Sequence, residues 1–223
     1  MKRFRFAFFM WMLTVPFWGQ QELIQKSPLY GKTMNIIGDS YVKNHRRPVA
    51  ETWHAKIADK YEMSYNNYGR NGNCIAFDRS AEGFGPSIVE RFSEMSDSAD
   101  YVLVVAGHND ADNLDRLGSL EEFREQLKLL CEGLIAKYPS AKIAFFTSWR
   151  VPRPNFTELA AVMEEVCGQF SIPIYNAQKY SGIYVWDAAF RQKYFQGVDD
   201  TAHLNNQGHN LFMNKAESFL LGL

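Results

Sequence analysis

The chain has 223 residues, with 24 Lys and Arg against 25 Asp and Glu and a formal net charge of -1 at pH 7. This length fits one domain with a sizeable core, and a hydrophobic fraction of 46% argues against extensive disorder. Because nucleic-acid binding needs a strongly basic surface, the balanced charge also argues against a nucleic-acid partner.

The N-terminus differs in kind from the rest of the chain. Three of the first five residues are basic, and the apolar run 6–18 follows them. This pattern is typical of a secretory signal peptide, and the run is too short to span a bilayer comfortably. We therefore predict a signal peptide over residues 1–19, a secreted or periplasmic protein, and no stable membrane insertion after cleavage near Gly19. The alternative is an uncleaved N-terminal anchor.

From Thr33 onward, short apolar runs alternate with longer amphipathic ones. The short runs predict buried strands and the longer ones predict helices. In chain order these are a strand ending at Ile37, a helix over 49–60, a strand over 63–66, a loop over 67–73, a helix over 86–95, a strand over 101–106, a helix over 120–138, a strand over 142–147, a helix over 156–170, a strand over 172–175 and a helix over 208–221. The alternation predicts one domain over residues 30–223, a three-layer α/β/α sandwich with a mainly parallel five-stranded sheet.

A hydroxyl residue follows the first predicted strand. Ser40 comes directly after Gly38 and Asp39, where the strand reaches its carboxyl end. In open α/β sheets ligands bind at that edge, so the position suits a reactive side chain. The alternative is a purely structural turn with a helix cap.

An acidic residue and a histidine stand close together near the C-terminus. Asp200 precedes His203 by three residues, and a tight turn would bring its carboxylate to one imidazole nitrogen. The other nitrogen would then be free to face Ser40. Because a serine hydroxyl is too weak an acid to ionise near neutral pH, a neutral imidazole must accept its proton during attack. The three residues therefore predict a serine nucleophile with its base.

Acyl transfer also needs donors aimed at the oxygen that becomes negative. The backbone N–H groups of Ser40 and Gly72 and the side-chain amide of Asn109 are the candidates, each in a loop after a predicted strand. Gly69 lies in the same loop and competes with Gly72 for this role.

These four blocks together resemble those of the SGNH hydrolases, also called the GDSL esterase/lipase superfamily. They are Gly38 to Ser40, the glycine loop, Gly107 to Asp110, and Asp200 to His203, in the family's order across nearly all of the mature chain. The resemblance implies a flavodoxin-like sandwich and ester hydrolysis through an acyl-enzyme, without cofactor or metal. It further implies Ser40 as nucleophile and oxyanion donor, Gly72 and Asn109 as the other donors, His203 as base, and Asp200 as its partner.

Other assignments compete with this reading. Asp199 is an alternative partner for the base, although the three-residue spacing belongs to Asp200. We expect the remaining histidines to be surface or packing residues; they are His45, His54, His108 and His209. Acidic residues at 110, 112 and 115 resemble a calcium loop but lack its remaining ligands. The three cysteines are too few and too scattered for a zinc site, and one disulfide remains open.

The predicted substrate is an ester of a small molecule or a glycan. An export signal and the lack of a long apolar lid favour a carbohydrate esterase that removes acetyl or another small acyl group. A lipase, lysophospholipase or thioesterase would use the same residues, and a non-catalytic glycan-binding module is the alternative of another class. Trp149, Arg150 and Arg153, in the exposed loop after the fourth strand, are candidate cleft residues, although such loop residues usually have no specific task. The aromatic-rich segment 180–198 is either a wall of the cleft or, as the default, a satellite hydrophobic cluster.

Overall fold

The computed structural model describes residues 17–223. Most of the predicted signal peptide lies outside this range, and the predicted cleavage position Gly19 falls within the first described helix, α1 (Phe17–Gln25). Within the described range, no helix combines the length and the apolar character needed to cross a membrane.

Five parallel strands form the central sheet. They are β1 (Thr33–Gly38), β2 (Ser64–Gly69), β3 (Tyr101–Val105), β4 (Lys142–Phe146) and β5 (Ile174–Tyr175). Their spatial order is β2-β1-β3-β4-β5, and every neighbouring pair is parallel. This is the flavodoxin-like order, and helices cover both faces of the sheet. The predicted three-layer α/β/α sandwich is therefore confirmed.

Within residues 17–223, ten further α-helices connect and cover the strands. They are α2 (Ser40–Lys43), α3 (Trp53–Lys60), α4 (Ile88–Arg91), α5 (His108–Asp112), α6 (Leu114–Leu117), α7 (Leu120–Lys137), α8 (Phe156–Gln169), α9 (Ala177–Tyr180), α10 (Ala188–Tyr194) and α11 (Asn206–Leu221). Three short 3₁₀ turns lie at Val49–Glu51, Ser80–Glu82 and Phe92–Glu94.

The central and edge strands differ in how far the sequence predicts them. All five residues of β3 are buried, which is why its apolar run is continuous. The edge strand β2 is polar and half-buried, and it continues to Gly69 instead of ending at Asn66. Its last residue pairs with Gly38 of β1, so three of the seven residues of the predicted loop 67–73 are strand.

Two predicted helices are shorter than their apolar patterns suggest. The helix predicted over 49–60 begins at Trp53, because Thr52 caps it by accepting a hydrogen bond from Ala55 N. In the segment 86–95, Ser87 and Glu90 form a reciprocal capping box, so the α-helix starts at Ile88. A 3₁₀ turn then follows.

All three cysteines lie in the described range and are buried free thiols. Cys131 lies on α7 and Cys167 on α8, each among the apolar residues of its helix. Burial raises the pKa of the Cys74 thiol. A buried, protonated thiol behaves as a small hydrophobe, so these residues belong to the core.

The sheet order creates a switch point between β1 and β3. From β1 the chain crosses to β2 on one side, whereas β3 lies on the other side and leads on to β4. Loops that leave the carboxyl ends of β1 and β3 therefore diverge and leave a crevice, the place where ligands bind in such sheets. Ser40 follows β1, and Asn109 follows β3.

Candidate active site

Ser40 begins the short helix α2 at the end of β1. The preceding Asp39 caps this helix, because its Oδ1 accepts a hydrogen bond from Tyr41 N at 2.8 Å. The serine is nearly buried, at 4% exposure. Its own backbone N–H donates to no protein acceptor among residues 17–223. Both a hydroxyl and an unused N–H are thus held at one point.

His203 joins Ser40 to Asp200. Its Nε2 lies 2.9 Å from Ser40 Oγ, and its Nδ1 lies 3.0 Å from Asp200 Oδ2. Because an ionised carboxylate only accepts hydrogen bonds, Nδ1 carries the proton and Nε2 is left to accept the serine hydroxyl. The structure therefore brings these three predicted residues together in the order that a serine nucleophile requires.

A tight turn holds Asp200 against the histidine. Its Oδ1 accepts hydrogen bonds from the backbone N–H groups of Ala202 and His203, both at 2.8 Å. Burial acts to raise the pKa of Asp200, but the hydrogen bonds from His203 and Ala202 outweigh it and hold the pKa at about 2. The group is therefore a carboxylate at neutral pH. The alternative partner, Asp199, is exposed and makes no side-chain hydrogen bond in the described part of the chain.

The two competing glycines have different surroundings. Gly69 ends β2, and its N–H already donates to Asn67 Oδ1 at 2.9 Å. Gly72 has φ +70°, and a Cβ at this position would overlap the ring of Phe84. Its N–H meets no protein acceptor within residues 17–223. The geometry favours Gly72 as the loop donor, and only glycine fits there without strain.

Asn109 is fixed in place at the end of β3. Its Nδ2 donates one hydrogen bond to Asn73 O at 3.0 Å, and its backbone oxygen accepts one from Asn113 Nδ2 at 2.7 Å. An amide carries two hydrogens on Nδ2, so one remains for a ligand. The contact with Asn73 also ties Asn109 to the loop that contains Gly72.

A buried arginine, absent from the sequence prediction, braces the same loop. Arg91 Nε donates to Asn73 Oδ1 at 2.8 Å, Nη1 to Tyr68 O at 2.8 Å and Nη2 to Gly38 O at 3.1 Å. Burial lowers the pKa of Arg91 to about 10, so the side chain keeps its charge. Its three bonds join the ends of β1 and β2 to the glycine loop. A sequence signal did exist, since Arg91 lies one turn from Ile88 on the apolar side of α4.

Asp110 also anchors this side of the site. Its two carboxylate oxygens accept the backbone N–H groups of Ile75 and Ala76, each at 2.8 Å. Burial raises the pKa of Asp110 to about 7 against the effect of those bonds. Both oxygens are occupied, and Asp112 forms an ion pair with Arg153 instead, so the arrangement is not that of a calcium loop.

Three of the remaining histidines are buried packing residues, as predicted. They are His54, His108 and His209. His45 is different, because its half-buried ring stacks on His203 with 4.4 Å between ring centroids and 15° between planes. The sequence predicts only a surface or packing residue at this position, without the contact to His203.

The prediction that Trp149 lines the cleft from an exposed loop is wrong. The side chain is 2% exposed, and its Nε1 donates to Ala202 O at 3.0 Å. Its ring also packs edge-on against Tyr41 at 4.5 Å. Trp149 therefore supports the turn before His203 from inside the protein, because its polar atom is satisfied by that turn.

Open clefts border the segment that follows Ser40. One, of about 740 Å³, lies beside Asp200 and is lined by residues 46–48 and 196–200. The other, of about 670 Å³, lies beside the glycine loop and is lined by Lys43, residues 69–71 and residues 83–85. Both are open, and the cleft beside Asp200 is mainly polar, which suits a hydrophilic ligand better than a long acyl chain.

Comparison with known proteins places this geometry in a family. The family model of the GDSL-like lipase/acylhydrolase family matches residues 36–211. No match to the chain was found among curated protein sequences.

Solved structures share the fold. A protein from Lactobacillus plantarum aligns with a TM-score of 0.73 and 20% identity, over 86% of this chain and 96% of that one. An active-site mutant of a family two carbohydrate esterase from Clostridium thermocellum aligns with a TM-score of 0.62 and 15% identity, over 86% and 64%. A member of the lipolytic G-D-S-L protein family from Veillonella parvula aligns with a TM-score of 0.56 and 17% identity, over 86% and 99%.

Because these identities are low, the similar structures establish only the fold. The family is established by the family model that matches residues 36–211. That match contains Ser40, the glycine loop, Asn109 and His203. The chain therefore belongs to the GDSL-like lipase/acylhydrolase family and is an ester-hydrolysing serine hydrolase of the SGNH superfamily.

Proposed function

We propose that the protein is an exported serine esterase in which Ser40 is the nucleophile, His203 the base and Asp200 its partner. One observation carries the proposal: His203 contacts Ser40 Oγ through one ring nitrogen and Asp200 through the other. No rearrangement of the protein is needed before proton transfer, since both contacts are already within hydrogen-bond distance.

In the first half-reaction, Ser40 Oγ attacks the ester carbonyl carbon while its proton passes to His203 Nε2. The imidazolium that forms is stabilised by Asp200, which stays ionised because its pKa is held at about 2. The tetrahedral intermediate then collapses. The C–O bond to the alcohol breaks, and His203 returns the proton to the leaving oxygen, so the acyl group remains on Ser40.

The developing oxyanion needs donors that are not already used. The unused N–H groups of Ser40 and Gly72 and the second amide hydrogen of Asn109 supply three. Donors fixed in advance cost no reorganisation during the reaction, and each contributes about 3 to 4 kcal/mol in comparable sites.

The second half-reaction regenerates the enzyme with water. His203 takes a proton from water as its oxygen attacks the acyl carbon, and the same donors hold the second oxyanion. Collapse breaks the bond to Ser40 Oγ, which regains a proton from His203. The products are the free acid and the alcohol.

For the substrate we propose a carbohydrate carrying an acetyl or other small acyl group. A family two carbohydrate esterase shares the fold, and the open cleft beside Asp200 is mainly polar. Tyr184 and Trp186, at 56% and 55% exposure, project from the segment between β5 and the histidine turn. Exposed aromatic rings of this kind present flat faces to a ligand that is part apolar and part polar, such as a sugar.

A lipid ester is the second candidate, because a member of the lipolytic G-D-S-L family also shares the fold. The substrate class is tested with acetylated oligosaccharides beside a series of acyl esters of increasing chain length. We expect turnover of the acetylated sugars and a rate that falls with chain length. Efficient hydrolysis of long-chain esters without release of acetate from sugars would assign the lipid substrate instead.

The catalytic proposal is tested by Ser40→Ala on a small chromogenic acetate ester. We expect kcat to fall by about 10⁶, as for loss of a serine nucleophile elsewhere. Ser98→Ala, an exposed serine before β3, is the matched control and should keep the wild-type rate. Equal rates for wild type and Ser40→Ala would refute the nucleophile. Glycan binding without turnover in the wild type would indicate the non-catalytic module.

Export is proposed from the basic and apolar N-terminal sequence. Expression in the native host followed by cell fractionation and N-terminal sequencing tests it. We expect a secreted or periplasmic protein that begins just after Gly19. An intact N-terminus in the membrane fraction would indicate the uncleaved anchor.

A further inference from the structure

His45 stacks on the ring that the proposed mechanism uses as base. The two imidazole centroids are 4.4 Å apart, and the planes are inclined by 15°. His45 forms none of the hydrogen bonds of the Ser40, His203 and Asp200 set. It covers a face of His203, whereas Ser40 and Asp200 engage the edges of that ring.

An uncommon backbone conformation places this ring. Asn44 has φ 64° and His45 has φ 37°, so two consecutive residues other than glycine lie in the left-handed region. Such conformations persist when the surroundings hold them, and they cluster at functional sites. The turn ends α2 after a single helical turn and leaves His45 against the ring of His203.

Buried hydrogen bonds hold the turn. Asn44 Nδ2 donates to Pro48 O at 2.6 Å, and Asn44 Oδ1 accepts from His209 Nε2 at 3.2 Å. His209 Nδ1 in turn accepts from Trp53 N at 3.4 Å, so its proton resides on Nε2. Burial lowers the pKa of His209 well below its ordinary value and keeps this tautomer neutral. His209 lies on α11, the helix that starts three residues after His203. The two stacked histidines are thus tied to one helix.

The charged groups around His45 come from two segments. Arg46 follows it on its own loop, and His203 and Asp200 face it from the opposite turn. Burial, then the charges of His203 and Arg46, lower the pKa of His45, and Asp200 opposes them. His45 is therefore uncharged at neutral pH. A neutral aromatic ring stacks favourably on a cation, whereas a second charged ring would repel it.

We propose that His45 is a positioning residue for His203: its neutral ring holds the imidazole in line between Ser40 and Asp200 and stabilises the imidazolium formed during turnover. This inference rests on the proposed function of the same site. The stack should affect kcat more than KM, because the ring contact strengthens as His203 gains charge in the transition state and contributes little to substrate binding.

The test compares His45→Ala with His45→Phe on a small acetate ester. The alanine variant loses the stack, and we expect kcat to fall roughly tenfold, the rate equivalent of one partly desolvated cation–π contact, with KM unchanged within about twofold. The phenylalanine variant keeps a stacking face, and its kcat should stay within about threefold of wild type. Thermal unfolding of both variants controls for folding.

The acid limb of the kcat/KM profile gives a readout that a purely structural role would not move. In the wild type, protonation of His45 adds a charge beside His203. As pH falls, log kcat/KM should therefore decrease with a slope greater than one, the value expected when a single group is protonated. In His45→Phe that second ionisation is gone, and the slope should be one throughout. Equal loss of kcat in the Ala and Phe variants, or an unchanged acid limb in Phe, would overturn the proposal.

Failure of this inference is distinguishable from failure of the proposed function. Turnover by Ser40→Ala would refute the mechanism itself. The role of the stack alone would be refuted if Ser40→Ala is inactive while His45→Ala keeps the kcat and the acid limb of the wild type.

Discussion

The two loops that meet at Ser40 are each closed by a carboxylate that accepts two backbone N–H groups. Asp200 closes the histidine turn through Ala202 and His203, and Asp110 closes the glycine side through Ile75 and Ala76, with all four distances at 2.8 Å. Their pKa values nevertheless move in opposite directions, to about 2 for Asp200 and about 7 for Asp110.

Burial and an added ring partner explain the difference. Asp110 is fully buried, and burial outweighs its two hydrogen bonds. The Asp200 side chain keeps 24% exposure and gains a third bond from His203, so its bonds outweigh burial. The same local motif therefore yields a fixed charge where the chemistry needs one and a titratable anchor where the task is to hold a loop.

Between the two carboxylates, the largest expected effect is that of Asp200→Asn, which removes the charge of Asp200 and keeps its shape. Asp200→Asn keeps the side-chain volume but removes the carboxylate that holds the proton of His203 on Nδ1. The imidazole can then adopt the wrong tautomer, so we expect kcat to fall about 10⁴-fold, as for the corresponding change in another triad. Steady-state kinetics on a small acetate ester measures it. Asp199→Asn is the matched variant and should lose less than about tenfold. The reverse ranking would make Asp199 the partner of the base.

A smaller effect is expected from the side chain that Asp110 and Arg91 help to place. Asn109→Ala removes one oxyanion donor and should lower kcat about 10² to 10³-fold, with KM little changed. The same variant frees Asn73 O, so unfolding should be measured alongside the kinetics. Asn205→Ala, which loses the cap of α11, controls for a general loss of stability. A wild-type kcat in Asn109→Ala would remove it from the oxyanion site.

The smallest expected effect concerns Asp110 and the pH dependence of stability. Its folded pKa, about 7, lies above the value of about 4 expected in the unfolded chain. The native state therefore binds more protons between these values, and the free energy of unfolding falls as pH rises from 4 to 7, by up to about 1.4 kcal/mol per pH unit.

Urea unfolding at pH 4, 5, 6 and 7 measures this slope in the wild type and in Asp110→Asn. Asp110→Asn should lose the pH-dependent contribution of Asp110 to the free energy of unfolding. The difference in this free energy between the two proteins should therefore change steadily with pH. Asp115→Asn, an exposed carboxylate on α6, should keep the wild-type slope. Parallel curves for wild type and Asp110→Asn would show that Asp110 is ionised throughout the range.

The sequence predicted the parts of the molecule that depend on local patterns. β1 and β3 are interior strands; the apolar run of β3 is continuous, and that of β1 is interrupted only by the buried Asn35, so both are predicted from the sequence. The contact of Asp200 with His203 follows from a turn of three residues. The contact of His203 with Ser40 is not local: the sequence predicts it from the position of Ser40 at the carboxyl end of a strand, where ligands bind, and from the order of the family blocks.

Other parts depend on contacts that no local pattern encodes. The sequence predicts that the second strand ends at Asn66, whereas β2 continues to Gly69, because polar residues at an edge of the sheet give no strand pattern. Trp149 looks like a surface residue in the sequence, and only the position of Arg91 one turn from Ile88 hints at its burial. The donors of both side chains reach backbone oxygens elsewhere in the chain. His45 was missed for the same reason, since its partner lies 158 positions away in the chain.

Ser40 and His203 are 163 positions apart and meet only across the assembled sheet. Recovery of hydrolysis thus reports complete refolding, because activity should return only once α11, the last helix, has packed against the sheet. A polypeptide released by the ribosome before His203 is made would contain the alcohol but no means of activating it.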